Sequence, residues 1–185
     1  MIDSILAEAE TKMDKSVEAL QRELVSIRTG RANPAMVEKV MVPFYGTPTP
    51  LNQLAQISTP EARLLVIQPY DRSQIGAIEK ALRAPEVGLN PGNDGAVIRV
   101  PVPPLTEERR RDYVKLVRQK AEDARVAIRN IRRDEVHRIE RLEKDGEIAE
   151  DDAKRSRERL QKITDAHTGR VDVVAAQKES EVMEV

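Results

Sequence analysis

The sequence has no cysteine and no tryptophan. The first absence excludes disulfides, a thiol nucleophile and thiolate metal sites, and it suits a reducing compartment. Aromatic residues make up only 2% of the chain, Phe44 and three tyrosines, which is poor material for an all-β sandwich. No apolar run exceeds four residues, as in Leu64–Ile67, far short of a membrane span. Met1-Ile2-Asp3-Ser4 lacks the basic and apolar blocks of a signal peptide. A soluble cytoplasmic protein is expected.

Catalytic signatures are missing too. There is no phosphate-binding P-loop, no GxGxxG, no HExxH and no GxSxG. The two histidines do not form a pair. His137 falls on a charged helix and is expected to be exposed, whereas His167 falls on an apolar seam as a satisfied core or rim residue. No carboxylate pair is singled out by apolar surroundings that would shift its pKa. Asn90-Pro91-Gly92-Asn93-Asp94-Gly95 lacks the spaced acids of a calcium loop and reads as a turn. The expectation is no enzyme, no cofactor and no metal.

What is present is charge, 34% of residues, and helical periodicity. Met13, Val17, Leu20, Leu24 and Ile27 step by three and four, which predicts a helix over 2–29 with Gly30 just past its end. All eleven prolines lie between residues 31 and 105. That stretch carries short β-type runs at Val37–Tyr45, Ala55–Ser58, Leu64–Ile67 and Ala96–Val102, and one short helix between Ser73 and Arg83. Turn signals at Gly46–Pro50 and Asn90–Gly95 separate them.

From Thr106, a candidate N-cap, the helical period returns. Val114, Val117, Ala121, Ala124, Ile128 and Ile131 form a seam that falters at Glu135 and resumes at Val136, Ile139 and Leu142. After a turn at Lys144-Asp145-Gly146, a third helix begins near Glu150. Its seam is Ala153, Leu160, Ile163, His167, Val171 and Val174. Three apolar stripes facing inward make an antiparallel three-helix bundle. The same pattern would serve an intermolecular coiled coil, but the turn at 144–148 suits a hairpin.

The fold class expected is therefore mainly α with a small α+β module. The bundle is discontinuous, residues 1–30 and 106–185, with a small β/α/β domain inserted at 31–105. The chain crosses between them at Gly30-Arg31 and at Pro103-Pro104-Leu105, which are expected to act as a hinge.

Charge is concentrated in the second long helix. Residues 109–133 hold ten basic groups and three acidic ones, although the whole chain carries a formal net charge of −1. One residue beside the apolar seam runs the row Arg111, Lys115, Arg118, Glu122, Arg125, Arg129 and Arg132, along roughly 30 Å of helix. Such rows often pair with neighbouring helices. Here the acids of the outer helices lie mostly at their ends, Glu150–Asp152 and Glu179–Glu184, and are not expected to be spread opposite the row. Every basic member from 125 to 132 is Arg, whose planar fork suits phosphate oxygens. The pattern leaves two readings: a surface for the backbone of a structured RNA, or a non-catalytic helical adaptor for protein partners whose arginines merely pair within the bundle. The lack of interleaved aromatics argues against stacking on single strands.

With these residues in view, the chain resembles the ribosome recycling factor family end to end. The resemblance rests on IRTGRANP (27–34), YGTPTPLNQLA (45–55), GLNPGNDGA (88–96), IRVPVPPLTEERR (98–110) and VAIRNIRR (126–133). It implies an L-shaped pair of hinged domains and a non-catalytic monomeric factor. That factor binds the large ribosomal subunit and its 23S-type rRNA after termination. With elongation factor G and GTP it splits the post-termination complex, releasing mRNA and tRNA. By motif, the resemblance implies rRNA contacts at Arg132, Arg129, Arg110, Arg28 and Arg31. Arg125 and Arg118 enter only through the row. The chain departs from the family's usual residues at Ala84-Pro85-Glu86-Val87, Tyr113 and Ala149. The first departure lies in the small domain and bears on how that domain meets elongation factor G; none falls on the RNA-facing arginines.

Overall fold

The computed structural model describes residues 1–184. They form five helices, α1 (Ile2–Val25), α2 (Leu51–Leu54), α3 (Ile75–Arg83), α4 (Glu107–Lys144) and α5 (Glu150–Met183). There are six strands, β1 (Met41–Phe44), β2 (Thr47–Pro50), β3 (Ala55–Glu61), β4 (Leu64–Pro69), β5 (Gly92–Asn93) and β6 (Ile98–Pro101). The chain divides into two compact units, one of residues 1–27 and 111–180, the other of residues 28–110 with the C-terminal residues from Glu181. The architecture is mainly helical with a small α+β module.

In the first unit, α1, α4 and α5 lie side by side. Cross-helix contacts give their directions. Glu8 meets Arg138 and Glu23 meets Lys120, so α1 and α4 are antiparallel. Arg118 meets Glu179 and Arg157 meets Glu143, so α4 and α5 are antiparallel as well. Asp3 meets Arg159 and Asp14 meets Arg170, so α1 and α5 run parallel. The core between them holds Ala9, Met13, Val17 and Leu20 of α1, Val117, Ala121 and Ile128 of α4, and Ala153, Leu160 and Val171 of α5.

Three details differ from the sequence pattern. First, α1 stops at Val25, not 29, because Ser26 Oγ donates to the Glu23 carbonyl at 2.8 Å and the Ile27 N–H to the Leu24 carbonyl at 3.1 Å. These bonds close a tighter turn, and Gly30 is not a helix cap. Second, the seam of α4 does not falter at Glu135. That side chain is buried on the seam itself, held by Lys12 and Arg138. Third, the α5 seam runs through Ser156 and Thr164, both buried, whereas Ile163 and Val174 sit at its margin. Each hydroxyl satisfies itself on its own helix: Ser156 donates to the Asp152 carbonyl at 2.6 Å and Thr164 to the Leu160 carbonyl at 2.8 Å.

The α4–α5 hairpin closes as a Schellman turn. Glu147 N–H donates to the Leu142 carbonyl at 2.9 Å and Gly146 N–H to that of Glu143 at 3.0 Å, with Gly146 at φ 72°. At the other end of α4, Thr106 Oγ1 accepts from the Arg109 N–H at 3.2 Å, making Thr106 the expected cap.

The second unit is built on an antiparallel sheet in the order β3-β4-β6-β5. Leu65 pairs with Val100 and Ile67 with Ile98, placing four buried side chains on one face. Helix α3 contributes Ile75, Ile78 and Leu82 to the same core, which Val37, Val42 and Leu51 complete. β1 and β2 form a separate hairpin through Tyr45 and Gly46, both with positive φ. Thr47–Pro50, expected from the sequence to be part of a turn, is thus a strand, since its prolines need no ladder N–H. Val37–Val40 turns back before β1 starts, so the first β-type run is shorter than expected. Gly92–Asn93 likewise pairs with β6 as a two-residue strand inside the expected turn.

Candidate nucleic-acid interface

The basic row lies on α4 beside its buried seam, and α5 decides what each member can do. Arg118 Nε donates to Glu179 at 2.9 Å, though the side chain is 70% exposed. Arg125 is more enclosed, 26% exposed, and grips Asp172 through Nε at 2.9 Å and Nη2 at 2.6 Å. The Arg125–Asp172 contact corrects the expectation that acids of the outer helices, lying mostly at their ends, would not be spread opposite the row. Asp172 sits in the interior of α5 and faces it.

Glu122, itself a member of the row, accepts from Arg125 Nη1 and Arg129 Nη1, both at 3.2 Å. Those two guanidiniums, Arg125 foremost, hold the Glu122 carboxyl below the usual carboxylate range. Arg129 remains 53% exposed, with Glu122 on one side and solvent on the other. Arg132 has no acid. Its Nη1 donates to the side-chain amide oxygen of Gln161 at 2.7 Å, and its Nε is buried without a partner. Arg133 points away from the row, 64% exposed, 3.9 Å from Asp134.

The row therefore separates into two kinds of arginine. Arg118 and Arg125 are matched by carboxylates of α5. Arg129 shares Glu122 of its own helix, and among the described residues Arg132 meets no carboxylate; neither is matched by an acid of α5, and a guanidinium fork suits phosphate oxygens.

Arg28, Arg31 and Arg110 belong to the second unit. Arg28 and Arg110 are half-buried, each with a buried Nε that has no partner. Arg31 forms an ion pair with Glu184. Sequence reasoning missed Glu122, Gln161, Asp172 and Glu179 as partners of the row. The signal was available: 172 and 179 are seven apart, as are 118 and 125. Among the described residues no cluster of three or more His, Asp or Glu could hold a metal ion. No described helix is long and apolar enough to cross a membrane.

Comparison with known proteins adds an independent observation. The model of the family "Ribosome recycling factor" matches residues 20–183. The chain belongs to the ribosome recycling factor family. It is 57% identical over 185 residues to a ribosome-recycling factor from Geobacillus sp. (strain WCH70), with all of both chains covered. It is 52% identical, again over all of both chains, to one from Acidothermus cellulolyticus. Among solved structures it is similar to a solution structure of a ribosome recycling factor, with a TM-score of 0.74, 45% identity, and coverage of 100% of this chain and 98% of that one. A second similar structure has a TM-score of 0.67, 44% identity and full coverage of both chains. It is the T. thermophilus ribosome recycling factor, shown with E. coli elongation factor G bound to the E. coli post-termination complex.

Proposed function

We propose that this chain recycles ribosomes. It binds the large subunit after termination and, with elongation factor G and GTP, splits the post-termination complex so that mRNA and tRNA are released. Family membership over the full chain supports this, as does a relative placed with elongation factor G on that complex. The observation that carries it within the molecule is Arg132, whose guanidinium, among the described residues, has no carboxylate partner and keeps a buried Nε without one.

In this reading the bundle docks on 23S-type rRNA through Arg132 and Arg129, and through Arg110, Arg28 and Arg31. Arg118 and Arg125 act chiefly within the bundle through their α5 carboxylates. Phosphate contacts of this kind release counterions, so affinity falls as salt rises. Gly30, Arg31, Pro103, Pro104 and Leu105 form the hinge that lets the small domain be moved. The factor works as a monomer in the cytoplasm and has no catalytic group of its own; GTP hydrolysis by elongation factor G supplies the work.

The test is polysome breakdown with purified chain, elongation factor G and GTP. Conversion of polysomes to subunits should need all three. Breakdown by the chain alone, or none with all three present, would refute the proposal.

A further inference from the structure

Arg118, Arg125 and Arg132 stand seven residues apart on α4, and Glu179, Asp172 and Asp165 stand seven apart on α5. Two antiparallel helices with this spacing set up three acid–base pairs along their join. The first two form, Arg118 with Glu179 at 2.9 Å and Arg125 with Asp172 at 2.6 Å. The third does not, because Gln161 stands in it. The Gln161 amide oxygen accepts from Arg132 Nη1 at 2.7 Å, and its amide nitrogen donates to Asp165 Oδ1 at 2.8 Å.

A carboxylate in that place would both orient the guanidinium and cancel its charge. An amide oxygen orients it and leaves the charge intact. The amide NH₂ meanwhile donates to Asp165 Oδ1, and among the described residues no ion pair joins Asp165 to Arg132. Among the described residues, Arg132 Nη2 has no hydrogen-bond partner and Nε is buried without one. One corner of the fork is anchored on Gln161, Nε is enclosed, and Nη2 is the corner left for an incoming anion.

We propose that Gln161 is a positioning residue for RNA docking: it fixes the Arg132 guanidinium in place and screens it from Asp165, so that its charge is free for phosphate. The inference rests on the reading of Arg132 as an RNA-facing residue. It explains why one arginine of three in a regular ladder is left uncompensated.

The test measures binding of the full chain to isolated large ribosomal subunits across a salt series. The variants are Arg132→Ala, Gln161→Glu and the double variant. Gln161 is exposed on α5, and Glu is as good a helix former, so the fold is retained; helicity and melting are recorded for each. Arg132→Ala should bind about tenfold more weakly and lower the slope of log K against log salt by about 0.7–0.9. Gln161→Glu should do nearly the same, since a carboxylate now neutralises the fork. Adding Gln161→Glu to Arg132→Ala should cost nothing further, because Gln161 acts only through Arg132. Gln161→Met, which keeps the length but opens Arg132 to Asp165, should also weaken binding in the wild-type background alone.

If Arg132→Ala weakens binding while Gln161→Glu binds like wild type, Gln161 does not position it. The same holds if Gln161→Glu costs as much with Arg132 absent, for then the added charge acts directly on the RNA. If Arg132→Ala itself binds like wild type, the reading of Arg132 as a docking residue fails, and the role of Gln161 with it.

Discussion

Glu135 of α4 accepts a hydrogen bond from Lys12 of α1 at 3.3 Å, although 123 residues of chain separate them. The carboxylate is 2% exposed while Lys12 is 54% exposed, so a charge on the buried seam is tethered to water through its partner. Arg138, 46% exposed, closes the other carboxylate oxygen at 2.9 Å and also reaches Glu8 at 2.6 Å.

This asymmetry predicts unequal costs. Replacing Glu135 with Leu leaves two cations that are already half in water, so stability should change by no more than about 1 kcal/mol. Removing both partners, Lys12→Ala with Arg138→Ala, strands a buried carboxylate and should cost about 3 kcal/mol. Denaturant unfolding followed by helicity measures both. A larger loss in Glu135→Leu than in the double variant would contradict the account.

A pH dependence follows from Asp14, which joins α1 to α5. Its Oδ1 lies 2.7 Å from His167 Nε2 and accepts from Arg170 Nη1 at 2.7 Å. His167 is buried, and its Nδ1 lies 2.7 Å from the Ile163 carbonyl. The hydrogen bond from His167, then that from Arg170, holds the Asp14 carboxyl below the usual aspartate range. A depressed carboxyl binds its proton more weakly folded than unfolded. Its contribution to stability is therefore fully present above about pH 4 and is lost as pH falls through the depressed value. Melting temperature should decline on acidification below about pH 4, and Asp14→Asn should show a shallower decline over the same range. Equal acid slopes in the two proteins would exclude Asp14 as a source.

Two glycines of the bundle should respond in opposite senses to the same change. Gly146 sits at φ 72° with nothing within 4 Å of an added methyl, so Gly146→Ala meets only backbone strain, about 1 kcal/mol. Gly169 lies inside α5, also with open space around it, and Gly169→Ala should stabilise by about 1 kcal/mol. Helix melting of the two variants reads the difference directly.

The existence of the three long helices and of α3 was legible from residue types alone; α2, a single turn at Leu51–Leu54, was not. The stripe from Met13 to Leu24, the Thr106 cap and the Lys144-Asp145-Gly146 turn depend on spacing within one segment, and local spacing is what a sequence displays. The positions that escaped are polar. Glu135, Ser156 and Thr164 lie on buried seams because each is satisfied there, the hydroxyls by carbonyls four residues back and the carboxylate by two cations, one of them from α1. A search for apolar letters cannot find them. The basic row was legible as well, down to which arginines flank the seam. Its division was not. Whether an arginine keeps its charge for a ligand depends on the side chain that α5 sets opposite it, and that is fixed only when two helices far apart in sequence pack at one register. The sequence by itself determined the three long helices, the change to short strands between them and the arginine row; the tertiary structure decided that Asp172 would neutralise Arg125 and that Gln161, not Asp165, would meet Arg132.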